Sequence, residues 1–171
     1  MKIEESKIKE HSGTSFSVTK TDGVSKIDFG NGKLIENADY YGKVFLGDCE
    51  DCTKITALYK DFTFDKILIG GLGLGLLPEY AKSIKNCSVI DVVETNQELI
   101  DYIDYLESPI NIIKGDALSY TPSKKYDLIL IDLWWEEEDI TQEIQDNIKN
   151  NYNSHLETNG KIILPLLEKE L

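Results

Sequence analysis

From Lys66 onward the chain alternates between two hydrophobic periods. KILIG (66–70), VIDVV (89–93), INII (110–113), DLILI (127–131) and KIILP (161–165) are short apolar runs rich in Ile, Leu and Val. That is the pattern of parallel strands buried on both faces. Between them apolar residues recur at helical spacing. Leu76, Leu77, Tyr80, Ala81 and Ile84 follow the first run, with Pro78 placed where a first helical turn tolerates it. After the second run, Thr95 and Glu98 have the spacing of a capping box that leads into Leu99, Ile100, Ile103 and Leu106. Ile140, Ile144, Ile148 and Tyr152 form an i, i+4 stripe, and Asn159-Gly160 predicts where that helix stops. Strand and helix alternating in this way predict an α/β, doubly wound, Rossmann-like parallel sheet with right-handed crossovers.

Before Lys66 the period is shorter. TSFSVTK (14–20) and VSKIDF (24–29) flank Thr21-Asp22-Gly23, and Gly30-Asn31-Gly32 precedes KLIEN, which predicts a small β meander. KVFLG (43–47) reads as a further strand, and Asp48 as the cap of a helix running to about residue 60. The chain therefore divides into a β-rich extension, 1–62, and a sheet domain, 63–171.

Composition narrows the partners. In 171 residues, 41% hydrophobic and 29% charged, there is enough apolar surface for one core. Against 31 Asp+Glu stand 18 basic residues, all of them lysine, for a net charge of -13. Such a surface repels nucleic acid and anionic membrane, and it lacks the arginine that grips phosphate in two places. MKIEESKIKEHS has no signal-peptide apolar core, and no run approaches the ~20 apolar residues of a membrane span. The expectation is a cytoplasmic protein acting on a small molecule. Cys49 and Cys52 form a CxxC, but a second CxxC is missing and the two histidines, His11 and His155, lie elsewhere. With Cys52, Ile55, Leu58 and Tyr59 spaced as one helix face, the pair reads as packing rather than as a zinc or redox site, and no metal is expected.

Open α/β sheets bind ligands at the carboxyl ends of their strands. The first strand runs into Gly70-Gly71-Leu72-Gly73-Leu74-Gly75, a turn over which a ligand can approach the backbone. The second ends in Glu94, placed as an acceptor for ribose hydroxyls. The third is followed by Lys114-Gly115-Asp116-Ala117, where Asp116 suits an exocyclic amine. The fourth ends in Asp132-Leu133-Trp134-Trp135, and adjacent tryptophans at a strand end suit a pocket wall.

In order and spacing, ILIGGLGLG, DVVETN, KGDAL and YDLILIDLWW resemble the class I S-adenosylmethionine-dependent methyltransferases, and within them a spermidine-synthase-like branch with short phage-type members. The resemblance spans about residues 40–165. It implies S-adenosylmethionine as cofactor, with Gly71, Gly73 and Gly75 along its methionine and ribose, Glu94 on the ribose, and Asp116 with Ala117 at the adenine. It places Asp132, Trp134 and Trp135 at the transferring group. Spermidine synthases carry an aspartate where this chain has Gly73, and a second acid where it has Trp134-Trp135. Methyl transfer to a small substrate, such as an amine, is therefore the leading expectation. The alternatives are aminopropyl transfer and a catalytically silent cofactor-binding scaffold. A sheet ending at KIILP would leave an apolar edge, with Leu164, Leu166, Leu167 and Leu171 nearby, and predicts a homo-oligomer, a dimer.

Overall fold

In the computed structural model, which describes residues 3–22, 24–30, 34–36, 62–83, 85–133, 137–167 and 169–171, the short-period segments form an antiparallel meander. Its strands are β1 (His11–Ser12), β2 (Ser17–Thr21), β3 (Val24–Asp28) and β4 (Leu34–Glu36), in that order across the sheet. The two-residue β1 is too short to leave a periodic signal in the sequence. The strand expected at 43–47, the helix to residue 60, and both Cys49 and Cys52 lie outside the described residues.

All five apolar runs are strands: β5 (Lys66–Gly70), β6 (Val89–Glu94), β7 (Ile110–Lys114), β8 (Tyr126–Ile131) and β9 (Leu156–Leu164). They pair in the order β7-β6-β5-β8-β9, all parallel, and β10 (Lys169–Glu170) adds antiparallel to β9. Ile67, Ile69, Ile90, Val92, Leu128 and Leu130 project to one face. Helix α1 (Leu76–Ser83), helix α2 (Gln97–Tyr102) and the meander residues Phe16, Val18 and Ile27 cover it. Leu68, Val93, Ile129, Ile131 and Ile162 project to the other, under helix α3 (Gln142–Tyr152). The sheet is thus doubly wound, although the connection from β7 to β8 makes its crossover through turns alone.

Three local expectations change. Asn96, not Thr95, caps α2, its Oδ1 accepting from the Leu99 N–H at 3.2 Å. Glu98 is drawn off to the N-terminal segment. Helix α3 ends at Tyr152, and Asn159-Gly160 is an irregularity inside β9 rather than a helix stop. Leu156 pairs with Tyr126 while Lys161 pairs with Leu128, so four residues of β9, 157–160, stand opposite Asp127 alone in β8. Asn159 absorbs the excess at φ +66, and a Cβ on Gly160 would meet the Tyr126 carbonyl at 2.8 Å.

Asp91 is the one buried charge of the sheet among the described residues, at 1% exposure. Its carboxylate accepts from the Tyr126 hydroxyl (2.5 Å) and Asn111 Nδ2 (3.0 Å) and pairs with Lys124 (2.9 Å). Burial opposes its charge, yet these partners hold its pKa below the ordinary aspartate value. The network pins β6, β7 and β8 together on the side where no helix bridges β7 to β8.

Candidate cofactor cleft

The glycine turn that follows β5 needs its glycines for stated reasons. Gly71, Gly73 and Gly75 stand at φ +98, +50 and +78, in the left-handed region that side chains resist. A Cβ on Gly71 would lie 2.4 Å from the Asp132 carbonyl oxygen, so only glycine lets β5 and β8 end this close together. Gly71 donates to the Val93 carbonyl (2.9 Å), and Asp132 donates through its backbone to the Gly70 carbonyl (2.9 Å). The turn is stitched to both neighbouring strands.

Glu94 at the end of β6 reaches back to the same turn. Its Oε2 accepts from the Leu72 N–H at 3.1 Å, while Oε1 accepts from the Asn96 N–H (2.7 Å) and Thr95 Oγ1 (3.3 Å). A carboxylate has about four lone-pair positions, so Oε2 keeps one for a further donor such as a ribose hydroxyl. Asp116, exposed after β7, closes a turn on the Leu118 N–H (2.9 Å) with Ser119 at 3.3 Å. Ala117 beside it is buried, and its carbonyl accepts from the Tyr152 hydroxyl at 2.6 Å.

Gly71, Leu72, Gly73, Leu74, Leu76, Leu77 and Asp132 line a cleft at these strand ends. The structure therefore gathers the glycines, Glu94, Asp116, Ala117 and Asp132 at one rim of the sheet. Trp134 and Trp135 lie outside the described residues. Sequence reading missed three supports. A Cβ on Gly70 would meet the Ala117 methyl at 2.8 Å, Tyr105 donates its hydroxyl to the Leu74 carbonyl (3.0 Å), and Leu106 packs where a Gly75 side chain would stand. Burial pushes the Tyr105 phenol well above its ordinary pKa, so it stays a donor. Cys87, far from this rim, is buried with its thiol pushed up to about 12, the form of an inert packing residue.

A five-strand parallel sheet in this order, with helices on both faces, is the fold of solved class I S-adenosylmethionine-dependent methyltransferases. Solved structures carry the same architecture at low identity. The N-methyltransferase NodS from Bradyrhizobium japonicum WM9 superposes with TM-score 0.50 at 15% identity, over 73% of this chain and 63% of that one. An S-adenosylmethionine-dependent methyltransferase from Mesorhizobium loti gives 0.54 at 13%, over 70% and 53%. One from Clostridium acetobutylicum ATCC 824 gives 0.51 at 19%, over 73% and 54%. The chain thus spans less than two thirds of each of these proteins. Comparison with protein-family models and with curated protein sequences found no match. The spermidine-synthase-like branch rests on sequence motifs alone.

The cleft's lining is compatible with the methionine end of a sulfonium cofactor. Gly71 and Gly73 line the cleft without side chains, Glu94 Oε2 is held to it through the Leu72 N–H at 3.1 Å, and Asp132 is among the lining residues.

Proposed function

We propose that the chain binds S-adenosylmethionine at the strand ends and transfers its methyl group to a small amine. The observation that carries this reading is the tie from Leu72 N–H to Glu94 Oε2, which sets a ribose acceptor and a glycine turn against each other as one surface. When bound, the cofactor supplies an electrophilic methyl on a sulfonium leaving group. The chain's own residues supply alignment and proton acceptance. Glu94 accepts from the ribose, Asp116 from the adenine amine, and Ala117 offers an apolar contact. Asp132, at the end of β8 and beside the glycine turn, accepts a hydrogen bond from the incoming amine and orients its lone pair. Trp134 and Trp135 are proposed to wall the acceptor side, where an aromatic face suits a cation. The -13 net charge favours cationic acceptors by raising their concentration at the surface.

Product analysis tests this reading. Incubation with S-adenosylmethionine and a panel of small amines is expected to release S-adenosylhomocysteine. Methylthioadenosine formed from decarboxylated S-adenosylmethionine would replace the reading with aminopropyl transfer. Tight cofactor binding with no product would replace it with a binding module.

A further inference from the structure

The segment joining β1 to β2 lies against the helix that carries the ribose side of the cleft. Glu98, in the first turn of α2, accepts from His11 Nε2 (3.0 Å), Thr14 N–H (2.9 Å), Thr14 Oγ1 (2.7 Å), Ser15 N–H (3.1 Å) and Ser15 Oγ (2.9 Å). A Cβ on Gly13 would fall 1.6 Å from Glu98 Oε1, so the loop is shaped to this carboxylate. Asn96 Nδ2 donates to Ser15 Oγ at 2.8 Å, while the Asn96 backbone N–H donates to Glu94 Oε1 at 2.7 Å. Glu94 in turn holds Leu72 of the glycine turn at 3.1 Å. A continuous series of hydrogen bonds thus leads from Ser15 through Asn96 and Glu94 to the cofactor turn.

The geometry points to Gly13-Thr14-Ser15 as a positioning clamp for the ribose acceptor, with Ser15 its decisive residue and Glu98 its anchor. The inference rests on the cofactor reading of Glu94 and extends the site into the N-terminal meander. Asn96 has two tasks, capping α2 with Oδ1 and presenting its N–H to Glu94. With Ser15 bonded to the same residue, displacement of Asn96 as a whole costs a hydrogen bond, and the backbone N–H that orients Glu94 stays aimed. A clamp of this kind acts on affinity through preorganisation, because Glu94 need not be ordered when ligand arrives. The other end of α2 carries an independent tether, Lys9 to Asp104 at 2.7 Å and Tyr102 hydroxyl to the Lys9 carbonyl at 2.7 Å. That tether does not touch Asn96, so it separates clamping from mere attachment.

Calorimetric titration with S-adenosylhomocysteine and with its 2′-deoxy analogue tests the clamp on the full chain. Ser15→Ala is expected to weaken S-adenosylhomocysteine by about three- to tenfold, the scale of one hydrogen bond, and to shrink the preference for the ribose over the 2′-deoxy ligand. Ser15→Thr, which keeps the hydroxyl, should restore both, and Lys9→Ala should leave both at the wild-type level. Glu94→Ala should weaken binding by about ten- to a hundredfold and abolish the preference. If Glu94→Ala behaves so while Ser15→Ala changes neither affinity nor preference, the clamp is overturned and the cofactor site stands. A lower melting temperature for Ser15→Ala with the ribose preference intact also overturns it, as a structural role. Wild-type protein that binds neither ligand overturns the cofactor reading and the clamp with it.

Discussion

Asp132 serves the fold with its backbone and is one of the residues lining the cleft. Its N–H closes on Gly70 at 2.9 Å, and its carbonyl oxygen occupies the space that Gly71 leaves by having no Cβ. Neither contact uses the carboxylate. Exchanging Asp132 for Asn keeps both, as well as the side-chain shape, and removes the negative charge and its basicity. If the carboxylate orients and deprotonates the acceptor, Asp132→Asn should lower turnover by about 10²–10⁴ while cofactor affinity moves less than tenfold. Paired turnover and melting measurements check this. A variant with normal turnover, or one whose only defect is a lower melting temperature, would remove Asp132 from the reaction. Glu94 differs in kind, since its carboxylate is already spent partly on Leu72 and Asn96, and on the proposed reading its loss is expected to act on binding.

Helix α2 shows at the scale of one element how tertiary partners redirect local signals. It has six residues, and its first turn is organised by the N-terminal loop as much as by its own sequence. Hydrogen bonds from Thr14, His11 and Ser15 hold the Glu98 carboxyl at about 2, far below the ordinary glutamate value of 4.5. With the folded pKa depressed, the stabilisation is complete above the unfolded pKa and is lost as pH falls toward the folded one. The Thr14 and Ser15 amide proton shifts of the folded chain should therefore stay constant from pH 7 to about 3 and move with a midpoint near 2, with Glu98→Gln abolishing the transition. Shifts that titrate above pH 5, or not at all, would remove Glu98 as the anchor. The same element explains what the sequence could and could not carry. Ile, Leu and Val runs buried on both faces announced all five parallel strands, and the glycine turn, Glu94, Asp116 and Asp132 followed from where those strands end. The Thr95/Glu98 capping box failed because Glu98 has better partners 83 to 87 positions away, which no local pattern encodes. The tie of Ser15 to Asn96 and the close approach of Ala117 to Gly70 were invisible for the same reason. Asn159-Gly160 misled because a left-handed residue followed by glycine suits a strand irregularity as well as a helix end.

At the scale of the whole molecule, the sheet's edges govern whether copies meet. The expectation of a dimer rested on β9 being an uncovered apolar edge, and β10 corrects that premise. Lys169 and Glu170 pair with Leu164 and Ile163, Leu171 donates to the Ile162 carbonyl at 3.0 Å, and Glu170 binds Lys161 at 2.6 Å. Leu164 is fully buried, and Leu167 and Leu171 pack onto the same core, so these leucines are used within the chain. A homodimer remains a proposal without that edge as its support. The covering segment is short, and its role is open to direct test. An exposed row of N–H and C=O groups beside buried Ile162, Ile163 and Leu164 is a template for strand pairing between molecules. Removing residues 169–171 should bare it. Light scattering at ~100 μM, well above the micromolar range of weak association, should then report a larger mass for the shortened chain than for the intact one. Circular dichroism on the same samples would show whether the fold persists. Equal masses with the fold retained would mean that β10 does not guard the edge and that the irregularity at Asn159-Gly160, by twisting β9, suffices to keep other copies away.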